Sequence, residues 1–492
     1  MSHDSNTSAN TNSESGSDAD GWKQRIDSQL AVQRSGLQEL CNTSAKKRIS
    51  KLKRLETYIL DHRSELKKAL HDDFKKPGTE VDLSEVYATL MELRHTIRHL
   101  KKWMAPQKVH APLAIAATKS HIRYEHKGLV LIISPWNFPF VLTIAPLISA
   151  LAAGNSIVLK PSELTPNTSD FLQTLVDTLF TDTEVSLFQG DKQVAQYLLQ
   201  KRFDHIFFTG SPRVGKIVMK AAAEHLTSVT LELGGKSPAI VDTTAGDHLE
   251  DAVDKIIWGK FVNAGQTCIA PDYVLVHEHL EDRFLAAIKK KLEQTYQTEI
   301  VKKERSNSYT SIVNAHHFNR LKRVMDDSIA VGARIVAGGH CDEEQLFIAP
   351  TVLADIEEHS PLMQEEIFGP LLPVLTYSSN EQAVELINRQ PNPLALYVFS
   401  SDSASTEYFL SHTSAGGSCV NETLLQFMHT RLPFGGAGHS GIGKSHGVYG
   451  FRAFSNERPV LKSPTRFSPT KVFYPPYTPK IKKMIDWLVR FF

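Results

Sequence analysis

GLVLIIS (residues 128–134) is the first of five short apolar runs that decide the fold of this chain. The other four runs follow at short intervals: SIVLK (156–160), VSLFQ (185–189), HIFFTG (205–210) and SVTLEL (228–233). Segments of helical composition separate them. Buried strands that alternate with helices predict a doubly wound parallel sheet, and the fold class is therefore α/β.

The residues that follow these runs predict where a ligand binds. The run ends read SPWN, KPSE, FTGS and ELGG, which are all polar or contain glycine. Parallel sheets of this kind bind their ligands outside the carboxyl ends of the strands. We therefore expect the functional cleft at this edge.

The flanking segments add a second α/β part. Residues 236–430 contain NAGQTC (263–268), a strand at YVLVHE and the motif EEIFGP (365–370). Two amphipathic helices precede the first run, because apolar residues keep helical spacing from Leu52 to Leu70 and from Val86 to Met104. The β-leaning stretch 106–126 predicts an arm or hairpin.

Composition narrows the class of protein. The chain has 492 residues, of which 41% are hydrophobic and 22% charged, as in soluble globular proteins. A net charge of +1 gives no attraction to nucleic acid. The four cysteines form no C-x-x-C pair, which argues against a structural metal site and favours a reducing, cytoplasmic compartment. The polar residues 1–20 predict a disordered tail.

One apolar stretch, FPFVLTIAPLISALAAGNSIVL (138–159), has the length of a membrane span. Pro146, Gly154 and Asn155 interrupt it, and its second part has strand character. A buried helix followed by a buried strand is the better interpretation.

Two glycine motifs overlap near the carboxyl end. GHSGIGKS (438–445) matches the phosphate-loop pattern, and GAGHSG (436–441) matches a dinucleotide pattern. A phosphate loop needs a helix immediately after it, whereas Gly447 and Gly450 occupy the segment that follows. We therefore expect a loop that runs close to other backbone and binds no nucleotide.

Three residues predict the chemistry. Cys268 follows small residues at the expected end of a helix, where a thiol can act as a nucleophile, although a lone cysteine is more often a buried hydrophobe. Glu232 ends the fifth run and could serve as general base, and the Asn137 amide could donate to an oxyanion. Nucleophile, base and oxyanion donor together indicate covalent acyl transfer.

These segments together resemble the aldehyde dehydrogenase superfamily. The matching segments, in family order over about residues 30–460, are SPWNFPF, KPSE, FTGSPRVG, LELGGKSP, NAGQTC, EEIFGP and PFGGAGHSGIGKSHGVYGF. TCIAPDY, KPSEL and the tail YPPYTPK are similar to the class 3, or fatty-aldehyde, branch. The resemblance implies a Rossmann-like sheet with a modified turn, a catalytic domain and a small β oligomerisation arm.

The resemblance also implies roles for the three residues. Cys268 would attack the aldehyde to form a thiohemiacetal, and the Asn137 amide and the Cys268 N–H would hold its oxyanion. Hydride transfer would leave a thioester, which water activated by Glu232 would hydrolyse to the acid.

The implied cofactor is NAD, with NADP possible. Lys160 and Glu163 would contact the adenosine ribose, where a carboxylate repels a 2′-phosphate. Other cofactor contacts carried over from the family are Trp136, Gly210, Ser211, Gly215, Glu366 and Phe368. The N–H groups of the 210–215 turn would meet the pyrophosphate.

The predicted organisation has five parts: a tail (1–20), an NAD-binding domain (21–235, with 106–126 in the arm), a catalytic domain (236–430), the Gly-rich return (431–470) and an amphipathic tail (471–492). The class 3 resemblance implies a homodimer. The basic and aromatic end KIKKMIDWLVRFF permits peripheral membrane contact, or a helix packed over the partner subunit.

The implied substrate is a medium- or long-chain aliphatic or aromatic aldehyde. A CoA-acylating dehydrogenase is the alternative enzyme, and Glu232 argues against it because thiol attack needs no water-activating base. A non-catalytic structural protein is the alternative of another class.

Overall fold

The computed structural model describes residues 21–112, 115–468 and 470–491. The tail expected over residues 1–20 lies outside this described part. The strands are β1 (Gln107–Val109), β2 (Lys119–His126), β3 (Leu129–Ile133), β4 (Ser156–Lys160), β5 (Val185–Leu187), β6 (His205–Thr209), β7 (Ser228–Glu232), β8 (Pro238–Val241), β9 (Tyr273–His277), β10 (Arg334–Ala337), β11 (Cys341–Asp342), β12 (Phe347–Ile348), β13 (Thr351–Ala354), β14 (Leu371–Tyr377), β15 (Ala395–Phe399), β16 (Gly417–Val420), β17 (Gly441–Ile442) and β18 (Ser455–Lys462).

The α-helices connect and cover these strands. They are α1 (Gly21–Cys41), α2 (Ala45–Asp61), α3 (Arg63–Phe74), α4 (Gly78–Glu80), α5 (Ala88–Trp103), α6 (Val141–Ala153), α7 (Pro166–Leu179), α8 (Lys192–Leu199), α9 (Pro212–Ala223), α10 (Leu249–Phe261), α11 (Glu281–Thr295), α12 (Ala315–Ala330), α13 (Pro361–Gln364), α14 (Asn380–Arg389), α15 (Ser403–His412), α16 (Leu425–Met428), α17 (Gly447–Ala453) and α18 (Pro479–Phe491). A π-helix at Val81–Tyr87 joins α4 to α5.

The first sheet has the strand order β17-β7-β6-β3-β4-β5. Its five predicted strands, β3 to β7, are all parallel, and only the short β17 runs antiparallel, beside β7. The order reverses at β3, and a cleft forms at such a point. The predicted α/β fold with a doubly wound parallel sheet is confirmed.

Both faces of this sheet are buried, because successive side chains of a strand point to opposite faces. Val130 and Ile132 pack with α2, α5, α6 and α7 in one hydrophobic cluster. Leu129 and Leu131 pack in another cluster with α1, α8 and α9. Covered on both sides, the strands read as continuous apolar runs.

A second sheet has the order β10-β13-β14-β9-β8-β15-β16 and is parallel except at β10. It extends over the segment expected to form the catalytic part. A third, antiparallel sheet of order β1-β2-β18 joins the stretch predicted as an arm or hairpin to the strand after the Gly-rich segment.

Two helical predictions need correction. The spacing from Leu52 to Leu70 spans two helices, α2 and α3, because the backbone at His62 leaves the helical conformation while the apolar face continues. The helix α1 precedes them, so more than two helices lie before β3.

The apolar stretch 138–159 forms the buried helix α6 and the buried strand β4, as predicted. Across the described ranges, no helix combines the length and the apolar character that crossing a membrane requires.

Candidate active site

The turn before Cys268 leaves the helical path abruptly. After α10, Asn263, Ala264 and Gly265 all have positive φ, at 55°, 51° and 71°. A Cβ on Gly265 would lie 2.3 Å from the carbonyl oxygen of Gly369, so only glycine fits there. This turn brings Cys268 next to the segment that contains EEIFGP.

Cys268 lines a mostly apolar pocket between the two α/β parts. Its apolar lining residues are Leu83, Ala88, Phe138, Val141, Leu142, Trp258, Val262, Ile269, Leu424, Phe427 and Met428. Ser84 and Thr267 also line it. A small polar head group with an apolar body matches this lining.

Asn137 lies directly beside the cysteine turn. Its Nδ2 donates to the carbonyl of Gln266 at 3.0 Å, and Asn263 Nδ2 donates to the Asn137 carbonyl at 3.0 Å. An amide nitrogen carries two hydrogens, so one of them remains for an oxyanion.

Glu232 ends β7 in a buried position. Its Oε1 accepts a hydrogen bond of 2.5 Å from the Ser445 hydroxyl, and Thr209 Oγ1 lies 3.5 Å from Oε2. Burial raises the pKa of Glu232 to about 7, although Ser445, Thr209 and the Lys444 ammonium favour its ionised form. A carboxylate with a pKa near neutrality is suited to general base catalysis.

The thiol of Cys268 is held in its neutral form. Burial raises the pKa of Cys268 far above its usual value, and the nearby carboxylates of Glu366 and Glu232 raise it further. The backbone N–H groups of Cys268 and Ile269 act in the opposite direction, because they donate toward the sulfur. The nucleophile therefore needs a base, and the carboxylates that disfavour the thiolate are also the available bases.

Sequence reasoning missed a set of residues behind Glu232. Glu92, Ser445 and His446 line a small buried cavity together with Glu232. Glu92 Oε1 accepts from the Gly447 N–H at 2.8 Å, and burial raises the pKa of Glu92 to about 7. Ser445 lies in the GKS triplet, but nothing in its neighbours along the chain indicates a contact with Glu232.

The cofactor residues Lys160 and Glu163 lie at the carboxyl end of β4. Lys160 Nζ donates to the Pro161 carbonyl at 2.8 Å and lies 3.5 Å from Glu163 Oε2. The Glu163 side chain is 45% exposed, so its carboxylate can accept hydrogen bonds from a ribose.

The turn from β6 to α9 contains Gly210 and Gly215, whose N–H groups are expected at a pyrophosphate. The N–H of Gly210 donates to the Glu232 carbonyl at 3.0 Å, and the N–H of Gly215 donates to the Ser211 carbonyl at 2.9 Å. Protein carbonyls thus already accept from both of these N–H groups, and their contact with a pyrophosphate stays a prediction. Ser211 caps α9 through its hydroxyl. Gly215 instead allows close packing, since a Cβ there would lie 2.8 Å from Leu233 Cδ2.

Trp136 and Phe368 are in contact, and Glu366, two residues before Phe368, lies against the loop after Glu232. The Trp136 and Phe368 rings meet edge to face at 5.4 Å between centroids. A Cβ on Gly234 would lie 2.1 Å from Glu366 Oε2, so this carboxyl sits directly on the loop after Glu232. Burial raises the pKa of Glu366 to about 8. A carboxylate after β4 and a helix N-terminus after β6, on the two strands that flank β3, together with these aromatic rings fit a dinucleotide.

The lysine of the Gly-rich stretch, Lys444, binds backbone carbonyls near the site. Lys444 Nζ donates to the carbonyls of Gly416, Gly435 and Gly436 at 3.0, 2.6 and 3.2 Å. A phosphate-binding lysine would need its ammonium free, so this arrangement favours the expected backbone-packing role. One argument for that expectation was wrong: the helix α17 does follow, although Gly447 begins it.

Within the described ranges, no three or more His, Cys, Asp or Glu side chains group as metal ligands would. The fold is of the doubly wound α/β class, and its cleft holds a thiol, a carboxyl and an amide, a combination suited to acyl-transfer chemistry.

Comparisons with known proteins identify the family. A model of the aldehyde dehydrogenase family matches residues 4–460. The 4,4'-diaponeurosporen-aldehyde dehydrogenase of Staphylococcus aureus is 42% identical over 445 residues, covering 90% of this chain and 95% of that protein. Human aldehyde dehydrogenase family 3 member B1 is 41% identical over 439 residues, covering 89% and 92%. The chain belongs to the aldehyde dehydrogenase family, and its similarity to the class 3 branch is confirmed.

Solved structures agree. The substrate-bound state of Staphylococcus aureus AldH has a TM-score of 0.89 at 40% identity, covering 94% of this chain and 99% of that one. The NAD+ complex of a Bacillus cereus aldehyde dehydrogenase has a TM-score of 0.81 at 28% identity, covering 90% and 89%. The chain is accordingly an NAD(P)-dependent enzyme that oxidises aldehydes to carboxylic acids.

Proposed function

We propose that this enzyme oxidises medium- or long-chain aliphatic or aromatic aldehydes, with Cys268 as nucleophile, Asn137 as oxyanion donor and Glu232 as general base. One observation carries the proposal. The Cys268 thiol lines a mostly apolar pocket, interacts with the Glu232 carboxylate and lies two residues after the carbonyl that Asn137 contacts.

The first half of the mechanism forms the bond to carbon. The thiol gives its proton to a nearby carboxylate, and the sulfur attacks the aldehyde carbon. The C–S bond forms as the carbonyl π bond breaks, and the negative charge moves to oxygen. The remaining N–H of Asn137 and the backbone N–H of Cys268 stabilise that charge.

When bound, the nicotinamide ring supplies the acceptor for the hydride that leaves this carbon. Lys160 and Glu163 would hold the adenosine ribose, and Glu366, Phe368 and Trp136 would hold the nicotinamide half. Ser211 and the α9 N-terminus would face the pyrophosphate. The side chain of Glu163 favours NAD over NADP because a carboxylate at this position repels a 2′-phosphate.

The second half releases the acid. Glu232 removes a proton from water, the hydroxide adds to the thioester carbon, and the C–S bond breaks. The thiolate returns and the carboxylic acid leaves. The raised pKa of Glu232, about 7, allows it to take and return this proton near neutral pH.

The substrate class follows from the pocket lining. Aliphatic and aromatic side chains surround the thiol, and their burial favours an apolar aldehyde body. The name of the Staphylococcus aureus relative, a 4,4'-diaponeurosporen-aldehyde dehydrogenase, supports a substrate with a long apolar body.

NADH formation across a chain-length series of aldehydes, with NAD and with NADP, tests the function. Cys268→Ser should form no NADH. Glu232→Gln should give a burst of about one NADH per site and then stop, because the thioester forms but water is not activated. Cys341→Ser, which alters a half-buried thiol outside the site, serves as control. NADH formation by Cys268→Ser at the parent rate would refute the proposed nucleophile.

The alternative of a CoA-acylating enzyme has no support from the comparisons. Product analysis with and without CoA separates the two reactions. Under the proposal the free acid forms at the same rate in both mixtures.

We also propose a cytoplasmic homodimer, assembled through the arm formed by 106–126 and β18. The β1-β2-β18 sheet supports this, because most of β18 is exposed and its outer edge pairs with no other strand of the described chain. Light scattering on the full chain tests it, and a monomer at micromolar concentration would contradict it.

The tail over 471–492 is proposed to dock on an apolar surface outside its own subunit. Within Pro479–Phe491 no residue is buried, and Trp487, Val489 and Phe491 are exposed beside several lysines. Vesicles with and without anionic lipid test peripheral membrane contact. If the protein binds neither vesicle, and if removal of 479–492 changes the kinetics with long-chain aldehydes, docking over the partner subunit is favoured instead.

A further inference from the structure

A buried tyrosine hydroxyl joins the two walls of the substrate pocket. Tyr397 lies in β15 with its side chain fully buried. Its hydroxyl donates to the Ile269 carbonyl at 2.6 Å, and Ile269 directly follows Cys268. The Tyr397 hydroxyl therefore contacts the residue that follows the nucleophile in the chain.

The same oxygen accepts two hydrogen bonds from the opposite wall. Gln426 Nε2 donates to it at 3.1 Å and the Leu424 N–H at 3.4 Å. Leu424, together with Phe427 and Met428 of α16, lines the pocket. The hydroxyl thus contacts both the nucleophile turn and the start of α16.

The wall at Leu424 is held in a strained conformation. Leu424 has φ 62°, in the left-handed region that a leucine rarely adopts. Such a conformation persists only where surrounding contacts impose it, and such residues cluster at functional sites. The hydrogen bond from its N–H to Tyr397 is one of those contacts.

The hydrogen bonds continue beyond the tyrosine. The Cys419 thiol donates to Gln426 Oε1 at 2.8 Å, which fixes the orientation of that amide and points its Nε2 at Tyr397. Four hydrogen bonds among five groups therefore hold one geometry between β15, α16 and the cysteine turn.

We propose that Tyr397 is a positioning residue: it fixes the distance and orientation of the Cys268 turn relative to the Leu424–Met428 wall and thereby sets which aldehydes reach the thiol. The inference rests on the proposed role of Cys268. Ile269 supplies one of the N–H groups directed at the sulfur, so holding Ile269 also orients the donors that stabilise the thiolate.

Tyr397→Phe tests the inference with a closely matched control, Tyr377→Phe. Tyr377 is also buried and lies in β14 of the same sheet. Its hydroxyl donates to the Val241 carbonyl over a distance of 3.3 Å, and this contact is not part of the pocket lining. Each variant removes one buried hydroxyl, and the two hydroxyls belong to strands of the same sheet. Thermal unfolding of each variant measures the structural effect alone.

Two readouts separate positioning from stability. The first is the rate of Cys268 alkylation by iodoacetamide, followed by mass spectrometry without substrate or cofactor. The second is the ratio of kcat/KM for a long and a short aldehyde. We expect Tyr397→Phe to slow alkylation by about three- to tenfold and to shift the ratio by a similar factor, because the hydrogen bonds of the hydroxyl to both walls are lost. Tyr377→Phe should leave both within experimental error.

Gln426→Met, at a half-buried position, provides a second test if Tyr397→Phe is too unstable to assay. It removes one of the two hydrogen bonds from the Leu424–Met428 wall to Tyr397 but keeps the bond from Tyr397 to Ile269. The chain-length ratio should shift and the alkylation rate should stay the same. Equal behaviour of Tyr397→Phe and Tyr377→Phe, or an unchanged ratio in Gln426→Met, overturns the inference. Because alkylation needs no turnover, this result is independent of the Cys268→Ser assay that tests the function.

Discussion

Glu232 and Cys268 both lie where burial disfavours their charged forms. The pKa of the carboxyl rises to about 7, and the pKa of the thiol rises well above its usual value. Each group therefore depends on its hydrogen-bond donors to ionise during the reaction. At the scale of single residues, those donors are the parts of the site that mutation probes most directly.

Ser445→Ala removes a donor to Glu232. The hydroxyl favours the ionised carboxylate, so its loss raises the pKa of Glu232 further. A general base works when deprotonated, and the rising limb of the kcat profile should move to higher pH by about one unit. Ser411→Ala, at an exposed serine, should leave the profile in place. A limb that stays in place in Ser445→Ala would exclude Glu232 as the titrating base.

Asn137→Ala removes the proposed oxyanion donor. We expect kcat to fall by roughly 10²- to 10³-fold with a smaller change in KM, because the interaction forms as charge develops on oxygen. Asn263→Gly removes two hydrogen bonds from the same turn and keeps the Asn137 amide. If both variants lose kcat equally, the role of Asn137 is to support the turn.

At the scale of elements, a buried ion pair joins β9 to the EEIFGP segment. Lys236 Nζ lies 2.5 Å from Asp272 Oδ2 and donates to the carbonyls of Leu362 and Glu365. Asp272 Oδ1 accepts from the Ile367 N–H at 2.9 Å. The pair therefore holds the backbone between the proposed cofactor residues on either side of Ile367.

Asp272→Asn should lower the free energy of unfolding by about 3 to 5 kcal/mol, since it leaves a buried ammonium unpaired. Glu358→Gln, which breaks an exposed pair with Arg389, should change it by less than about 1 kcal/mol. Urea unfolding measures both. NAD titration by fluorescence should show weaker binding for Asp272→Asn alone, and equal stability of the two variants would contradict the structural role.

At the scale of the whole molecule, buried carboxyls make stability depend on pH. Burial raises the pKa of Glu92 and Glu232 to about 7 and that of Glu366 to about 8. A carboxyl whose pKa is raised on folding makes its full contribution to stability when the pH is below the pKa that the group has in the unfolded chain. That contribution is lost as the pH rises through the folded pKa.

Glu92→Gln removes one such contribution and keeps an acceptor for the Gly447 N–H. Between pH 5 and pH 8, the free energy of unfolding should fall less in the variant than in the parent. The difference should be on the order of 3 kcal/mol at most. The control Glu407→Gln, at an exposed position, should show the pH dependence of the parent. If Glu92→Gln shows that dependence too, Glu92 is ionised over this whole pH range in the folded protein.

Local patterns in the sequence determined much of this protein. The five apolar runs gave the parallel sheet, because strands covered on both faces are apolar throughout. The motifs around Asn137, Glu232 and Cys268 indicated the family, and the structure brings these residues to one cleft. The break at His62 carried no glycine or proline, so the division into α2 and α3 could not be read from the spacing.

Only the tertiary structure decided which distant residues contact one another. Ser445 reaches Glu232 across 213 positions, and Tyr397 reaches Ile269 across 128. The N–H groups of Gly210 and Gly215 are used by protein carbonyls, which the motif around them does not reveal. Periodicity and turn chemistry are local properties, whereas a hydrogen bond or a raised pKa depends on groups that packing brings together from distant parts of the chain.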